Sequence, residues 1–181
     1  MKYTVSILFL ISLLFGNMLQ AKEYKANTPN KNAPLLKERF PNIKKENYQV
    51  SVYKGKIAKD ISDKKHIVRT RLRQALKDAQ ADRKNIDFAG HYLLVGYGCG
   101  VDCFSFNIVD VKTGQIFDGF SGLSGYTDNE QWVPFDLQYT PDSTLLYMQG
   151  NIDGTGSFVY EFKNGKFQLL EYSPVVKLEE E

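Results

Sequence analysis

The order of apolar and polar positions along the chain predicts one helix followed by a series of short strands. Between Asp60 and Asp82, apolar residues recur every three or four positions, as on the buried face of an amphipathic helix. From Phe88 onward, short aromatic and β-branched runs are separated by Gly, Asn and Asp, which is typical of an antiparallel meander. An alternating segment at 48–53 predicts one strand before the helix. Seven more are predicted after Phe88, near 90–97, 104–111, 115–118, 132–139, 144–150, 157–163 and 166–172.

The links between these strands predict hairpins. Asn164-Gly165 is the clearest turn, because a two-residue hairpin turn with positive backbone angles favours Asn-Gly. The segments 108–117 and 159–167 each contain a strand, a polar turn with Gly and a second strand, as hairpins of β-propeller blades do. A whole propeller needs four or more blades, and this chain has residues for about two. We therefore predict an α+β domain, an antiparallel β-meander of about six to seven strands with one amphipathic helix packed on it.

The two ends of the chain show patterns of other kinds. Residues 1–21 combine Lys2, an apolar run and a polar exit that ends in the small residue Ala21, which is typical of a secretory signal peptide. The run is shorter than the roughly 20 residues that cross a bilayer as a helix. We therefore expect cleavage near Ala21 and a periplasmic or secreted protein without a transmembrane span in the mature chain. Three further regions are predicted: a flexible basic arm at 22–46, a single α+β domain at 47–176 and an acidic tail at 177–181.

The charge of the chain is close to balanced, with 23 Lys and Arg against 21 Asp and Glu and a net charge of +2. This balance argues against nucleic acid as a partner, since a nucleic-acid-binding protein needs a concentrated basic face. The predicted helix region does carry several cations that could bind an anion. A helix packed by one face and solvated on the other is the commoner explanation of such a pattern. These cations are Lys64, Lys65, Arg69, Arg71 and Arg73.

Residues 88–114 contain the densest set of motifs in the chain. They read Phe88-Ala89-Gly90-His91-Tyr92, then Gly98-Cys99-Gly100-Val101-Asp102-Cys103, then Val109-Asp110 and Thr113-Gly114. This segment resembles a group of small exported bacterial proteins of unknown function. They share a Phe-Ala-Gly-His-Tyr strand, a Gly-Cys-Gly-x-x-Cys turn and a Val-Asp-x-x-Thr-Gly hairpin. The resemblance supports export and implies no activity.

Cys99 and Cys103 are the two cysteines of the chain. Cysteines of an exported protein are usually oxidised, and the neighbouring glycines permit a turn tight enough to bring the two sulfurs together. We therefore predict a structural disulfide that shapes this turn. Three other hypotheses stay open: a catalytic pair with His91, a redox dithiol, and a zinc site with His91 and an acidic residue. We expect no metal and no cofactor.

The loop at 118–126 is the second candidate site, because its glycines and serines cannot fill a core. Its Phe120, Leu123 and Tyr126 are expected to be free to meet a partner. The loop matches neither a phosphate-binding loop nor a nucleophile elbow, and a mobile connection is the simpler alternative. With the turn at 97–104, it gives seven candidate binding residues: Tyr97, Asp102, Phe120, Ser121, Leu123, Ser124 and Tyr126.

The leading functional hypothesis is a non-enzymatic protein-binding module of the cell envelope, an inhibitor or an immunity protein whose partner is another envelope protein. It follows from two Gly-rich, aromatic-bearing loops on a rigid sheet and from the lack of a complete catalytic motif. One alternative is a small envelope hydrolase or thiol enzyme that uses Cys99 or Cys103 with His91 and Asp102. A structural or accessory envelope protein is the other.

Overall fold

A computed structural model of the chain describes residues 35–175. The predicted signal peptide, the acidic tail and the first part of the basic arm lie outside these residues. The described part contains one α-helix, α1 (Arg69–Ala81), and three 3₁₀ helices at Leu36–Arg39, Lys45–Tyr48 and Arg83–Asn85. Its ten strands are β1 (Tyr92–Gly100), β2 (Cys103–Asp110), β3 (Ile116–Asp118), β4 (Leu123–Ser124), β5 (Tyr126–Asp128), β6 (Gln131–Val133), β7 (Asp136–Tyr139), β8 (Leu145–Asn151), β9 (Thr155–Lys163) and β10 (Lys166–Pro174).

The predicted α+β antiparallel architecture is confirmed, with more strands than expected. Eight strands form one sheet in the order β1-β2-β4-β8-β9-β10, with β3 paired to β2 and β7 paired to β8. Strands β5 and β6 form a separate hairpin. The predicted strand at 132–139 is divided into β6 and β7 at Pro134, since proline has no N–H for a sheet ladder.

The sheet curls so that one face of both its halves lines a common interior. Phe106 in β2 and Phe167 in β10 have ring centroids 5.9 Å apart, although three strands separate them in the sheet order. Alternate residues of each strand point inward, which places one side chain in two in this interior. Its buried members are mainly aromatic and aliphatic, and include Phe88, Phe104, Phe106, Ile108, Leu146, Met148, Phe158 and Phe162.

Two segments cover the outer face of the sheet. Helix α1 packs Leu72, Leu76 and Ala79 against the β1–β2 half, where Leu93, Val95 and Val109 point outward. Residues 35–48 cover the β8–β9 half, where Leu145, Tyr147 and Val159 point outward. Leu36 and Phe40 are buried there, and the Leu36 N–H donates to Gln138 Oε1 at 2.9 Å. Over residues 35–46, the structure therefore differs from the predicted flexible arm, because two apolar side chains fix the segment to the sheet.

Helix α1 begins later than the sequence pattern predicts. Residues 60–68 form turns, and Asp60 uses its carboxylate to accept from the Ile61 N–H and from Arg73 Nε at 2.8 Å. The segment at 48–53 makes one bridge, Gln49 to Ser143, in place of the predicted strand. Of the helices within the described range, none is both long and apolar enough to cross a membrane.

The β5–β6 hairpin stands beside the main sheet and carries Trp132. This side chain is 54% exposed. Its ring lies against Gly125, where a Cβ atom would collide with it. The absence of a side chain at Gly125 therefore lets the indole lie flat on the backbone at the start of the hairpin.

Candidate functional site

The tip of the β1–β2 hairpin is closed by a disulfide between Cys99 and Cys103, as predicted from the compartment. The two Cα atoms are 5.0 Å apart, and the strand register shifts between Gly98 and Gly100. Asp102 has a φ of 50°, which a short polar side chain tolerates better than most. Both sulfurs are bonded to each other, so neither is available as a nucleophile or as a metal ligand.

Val101 lies at the end of this closed tip, between the two cysteines in sequence. Its side chain is 96% exposed. Asp102 beside it is exposed as well. The hairpin thus holds one apolar and one acidic side chain away from the sheet on a cross-linked turn.

The loop at 118–126 lies directly beside this tip. Strand β4 pairs with β2, so that Ser124 faces Cys103 across the ladder. Ser105 connects the two segments, since its Oγ lies 3.2 Å from Cys99 Sγ and from Ser121 Oγ and accepts the Gly122 N–H at 3.2 Å. The two loops singled out in the sequence therefore form one continuous surface.

The apolar residues of that loop are not free to meet a partner, contrary to expectation. Leu123 is 0% exposed, and Tyr126 is also buried. Phe120 is packed into the interior, with its ring 4.7 Å from that of Tyr160 and 5.1 Å from that of Phe167. The reason is that 123–128 forms two short strands: Leu123 in β4 joins the interior cluster, and Tyr126 in β5 is buried and hydrogen-bonded to Arg39. The surrounding Gly and Ser residues give no sign of these strands in the sequence.

The polar candidates lie at or near the surface. Ser121 is exposed, while Tyr97 and Ser124 are half-buried. The Tyr97 hydroxyl donates to Asn107 Oδ1 at 3.0 Å, and burial together with the charge of Asp118 raises the pKa of this phenol. The surface at this end of the hairpin therefore carries hydroxyl groups together with the exposed Val101 and Asp102.

His91 lies at the other end of β1 from the cysteines. Eight residues of strand separate it from Cys99, which corresponds to roughly 26 Å. Its Nε2 is 4.0 Å from Asp110 Oδ1, a carboxylate that also accepts from the Lys112 N–H and the Thr113 hydroxyl. Burial lowers the pKa of His91, and the charge of Lys112 acts in the same direction. The structure thus does not bring together the Cys–His pair that the enzyme and zinc hypotheses need.

A groove of about 920 Å³ opens beside the same hairpin, and no sequence motif predicts it. Its lining comes from the segments 35–45, 94–104 and 135–147, which are far apart in the chain. Phe104 and Phe135 stack there with ring centroids 5.3 Å apart. The remaining apolar lining includes Phe40, Ile43, Leu94, Leu137, Leu145 and Tyr147.

Asp87 and Tyr139 form a polar pair beside this groove. The Asp87 carboxyl accepts the Leu94 N–H at 3.0 Å and is hydrogen-bonded to the Tyr139 hydroxyl. Burial raises the pKa of Asp87 to about 7, and burial raises the pKa of Tyr139 as well. Tyr139 and Leu94 line the groove, while Asp87 lines a smaller cavity of about 240 Å³ that shares Leu94 with it. A carboxyl group that is neutral near pH 7 can donate a hydrogen bond to a ligand.

The β1–β2 hairpin contributes to both the tip and the groove, because its residues Gly96 and Phe104 line the groove. Together they offer an exposed anchor and an apolar cleft, which are the features of a recognition site. No match was found when the chain was compared with models of known protein families, with curated proteins and with solved structures.

Proposed function

We propose that this chain is a non-enzymatic protein-binding module of the cell envelope, which holds another envelope protein with the tip of its β1–β2 hairpin. The observation that carries the proposal is the position of Val101. It is the most exposed large apolar side chain among the described residues, and it lies on a turn closed by the Cys99–Cys103 disulfide. An apolar anchor on a rigid turn loses little conformational entropy when it binds.

The surroundings of the tip support the same function. The hydroxyl of Ser105 ties the turn to the neighbouring loop, so a partner would meet a surface that is already ordered. The Ser121 hydroxyl is linked through Ser105 to Cys99, so a polar group lies beside the turn, as the polar rim of an interface lies beside its apolar centre. The groove below Gly96 has room for an apolar side chain of the same partner.

The proposal also includes a location and a class of binding module. Action in the periplasm or outside the cell rests on the signal-peptide pattern of residues 1–21. An inhibitor or an immunity protein is the class of binding module that fits a small rigid domain with a protruding turn. The alternative of a thiol enzyme lacks a free thiol and a nearby histidine among the residues described.

Site-specific photo-cross-linking tests the proposal. A photoreactive phenylalanine derivative replaces Val101 in one variant and Lys166 in a matched control, where Lys166 is an exposed residue beside the turn of the β9–β10 hairpin. In cells that produce the protein, we expect a cross-linked species of one defined mass from position 101 and none of that mass from position 166. Identical species from both positions, or no species from position 101, would contradict the proposal.

A second pair of variants separates the tip from the groove. Val101→Asp removes the apolar anchor and keeps the disulfide, and so tests the tip. Leu137→Asp places a charge in the lining of the groove, and so tests whether the partner also enters the groove. The partner recovered from the cross-link should bind Val101→Asp at least about tenfold more weakly, which corresponds to the burial of one apolar side chain. Unchanged binding of Val101→Asp would show that the tip is not the contact surface.

A further inference from the structure

Positive charge is concentrated in one short part of this chain. Residues 54–77 contain nine Lys or Arg and two Asp, whereas the net charge of the whole chain is only +2. The structure brings this segment together, because residues 55–60 run alongside α1. The Gln80 side chain donates to the Ala58 carbonyl, and Arg73 pairs with Asp60 at 2.8 Å. The cations therefore belong to one side of the molecule.

Eight of these nine cations are exposed and outside the ion pairs of the described residues. The ion pairs within residues 35–175 are Arg73–Asp60 and His91–Asp110, so Arg73 is neutralised and does not contribute. Four of the eight lie within four residues of Ile67, namely Lys64, Lys65, Arg69 and Arg71, and we call them with Ile67 the basic patch. Asp63 is the one acid within the patch, and it accepts the Lys65 N–H.

Ile67 lies in the middle of the basic patch and is 89% exposed. His66 stabilises the turn that contains Ile67 with two hydrogen bonds. Its carbonyl accepts the Arg69 N–H at 3.0 Å, and its Nδ1 accepts the Val68 N–H at 3.3 Å. Leu72 in the following turn of α1 is fully buried in the core. The core therefore fixes this turn while Ile67 itself contributes no buried contact.

We infer that the basic patch docks on a membrane surface that contains anionic lipid. Lysine and arginine side chains near such a surface are attracted to the lipid phosphates, and an apolar side chain among them can enter the boundary between headgroups and acyl chains. A soluble anion would account for the charges and leave Ile67 in water. The combination of four unpaired cations around one protruding aliphatic side chain matches a lipid surface in both respects.

This docking is independent of the proposed protein-binding function. Helix α1 packs on Leu93 and Val95 of β1, while Val101 lies beyond the other end of that strand. The basic patch and the hairpin tip thus occupy separate parts of the surface. Anchoring by the patch would leave the tip free for a partner in the envelope.

Sedimentation with lipid vesicles tests the inference on the purified protein. We expect binding to vesicles of phosphatidylcholine and phosphatidylglycerol, no binding to vesicles of phosphatidylcholine alone, and weaker binding as salt is raised. The double change Lys64→Gln and Lys65→Gln should weaken binding about 25-fold, at about fivefold for each cation. The matched control, Lys163→Gln with Lys166→Gln, removes the same charge from the β9–β10 turn and should leave binding unchanged.

Ile67→Ser separates lipid docking from simple attraction of anions. It keeps every charge, and we expect it to weaken binding to the phosphatidylglycerol vesicles by at least about fivefold. Heparin, a soluble polyanion, serves as the second probe. If Ile67→Ser binds the vesicles as tightly as the wild type, or if heparin binding and vesicle binding respond alike to every variant, the patch is a general anion site and the inference is wrong. Equal binding to both kinds of vesicle would also overturn it.

Discussion

Strand β1 begins among buried groups and ends in solvent. Just before it, Phe88 and Gly90 are buried, the Gly90 N–H donates to the Pro141 carbonyl, and the Gly90 carbonyl accepts the Tyr53 N–H, each at 2.7 Å. At its end, the disulfide closes the turn to β2, and Val101 on this turn is exposed to solvent. One strand of nine residues thus connects a buried, hydrogen-bonded backbone to the most exposed large apolar side chain of the described residues.

The difference shows that neighbouring motifs can exist for different physical reasons. The Phe-Ala-Gly-His-Tyr motif is required by packing, because its glycine has a φ of +82° and lies against the Ser51 carbonyl. The Gly-Cys-Gly-x-x-Cys motif contributes little to the core and fixes the geometry of an exposed turn instead. Changes at the buried end should therefore affect stability, and changes at the exposed end should affect recognition.

The largest effect is expected from Gly90→Ala. A Cβ atom there would lie 2.9 Å from the Ser51 carbonyl oxygen in a left-handed backbone conformation, so we expect a loss of about 3 kcal/mol in the free energy of unfolding. Urea unfolding followed by circular dichroism measures it. Gly98→Ala is the matched control, because the nearest atom to its Cβ would be 3.9 Å away, and it should change stability by less than about 0.5 kcal/mol. If Gly90→Ala and Gly98→Ala lost equal free energy of unfolding, the buried and exposed ends of β1 would not differ in their role in stability.

A pH dependence is expected from Asp87 at the buried end. Its pKa is about 7 in the folded protein, against an ordinary value near 3.8, because burial disfavours the charge. The unfolded chain loses this proton at lower pH than the folded chain, so the contribution of Asp87 to stability is greatest below pH 4, falls as pH rises from 4 to 7, and is level above that. The full shift corresponds to about 4 kcal/mol, which partial solvation reduces to about 2 or 3.

Thermal unfolding of the wild type and of Asp87→Asn between pH 4 and 8 measures this contribution. The asparagine cannot ionise, so the difference in melting temperature between the two proteins should change with pH over that range. A constant difference would show that Asp87 titrates normally.

A smaller effect is expected from loss of the disulfide. Cys99 and Cys103 close a loop of about five residues, and the chain-entropy estimate for such a loop is about 2 kcal/mol. Reduction of the wild type and the double change Cys99→Ser with Cys103→Ser should both lower the free energy of unfolding by this amount. Amide hydrogen exchange should become faster at the tip and remain slow at Phe88. Faster exchange at both ends of β1 would mean that the tip supports the core.

The smallest effect on stability is expected from Val101→Ser. The side chain makes no buried contact, so the free energy of unfolding should change by less than about 0.5 kcal/mol. Binding of the cross-linked partner should nevertheless weaken by about tenfold or more. If Val101→Ser lost stability and kept its affinity for the partner, the exposed end of β1 would serve stability and not recognition, contrary to our proposal.

Local patterns in the sequence predicted much of this fold. The Asn164-Gly165 turn lies between β9 and β10 with positive φ at both residues, as its dipeptide indicates. The disulfide followed from the export pattern and from two cysteines four positions apart. These features depend on neighbouring residues, which is why a single sequence reveals them.

Features that depend on distant residues were missed. The groove is built from three segments between Leu35 and Tyr147, and nothing in any one of them predicts the other two. Leu123 was expected to be exposed, because its Gly and Ser neighbours are typical of a loop, yet pairing with Phe104 places it in the interior. Asp87 carries no motif, and its raised pKa results from burial beside Tyr139.

Trp132 gives this domain an unusual optical property. It is the one tryptophan of the chain, and it is more than half exposed on a hairpin outside the eight-stranded sheet. Its fluorescence therefore reports on the β5–β6 hairpin, whereas the near-ultraviolet circular dichroism of the packed phenylalanine and tyrosine rings reports on the interior. A fluorescence change at a lower denaturant concentration than the circular dichroism change would mean that the hairpin opens before the sheet does.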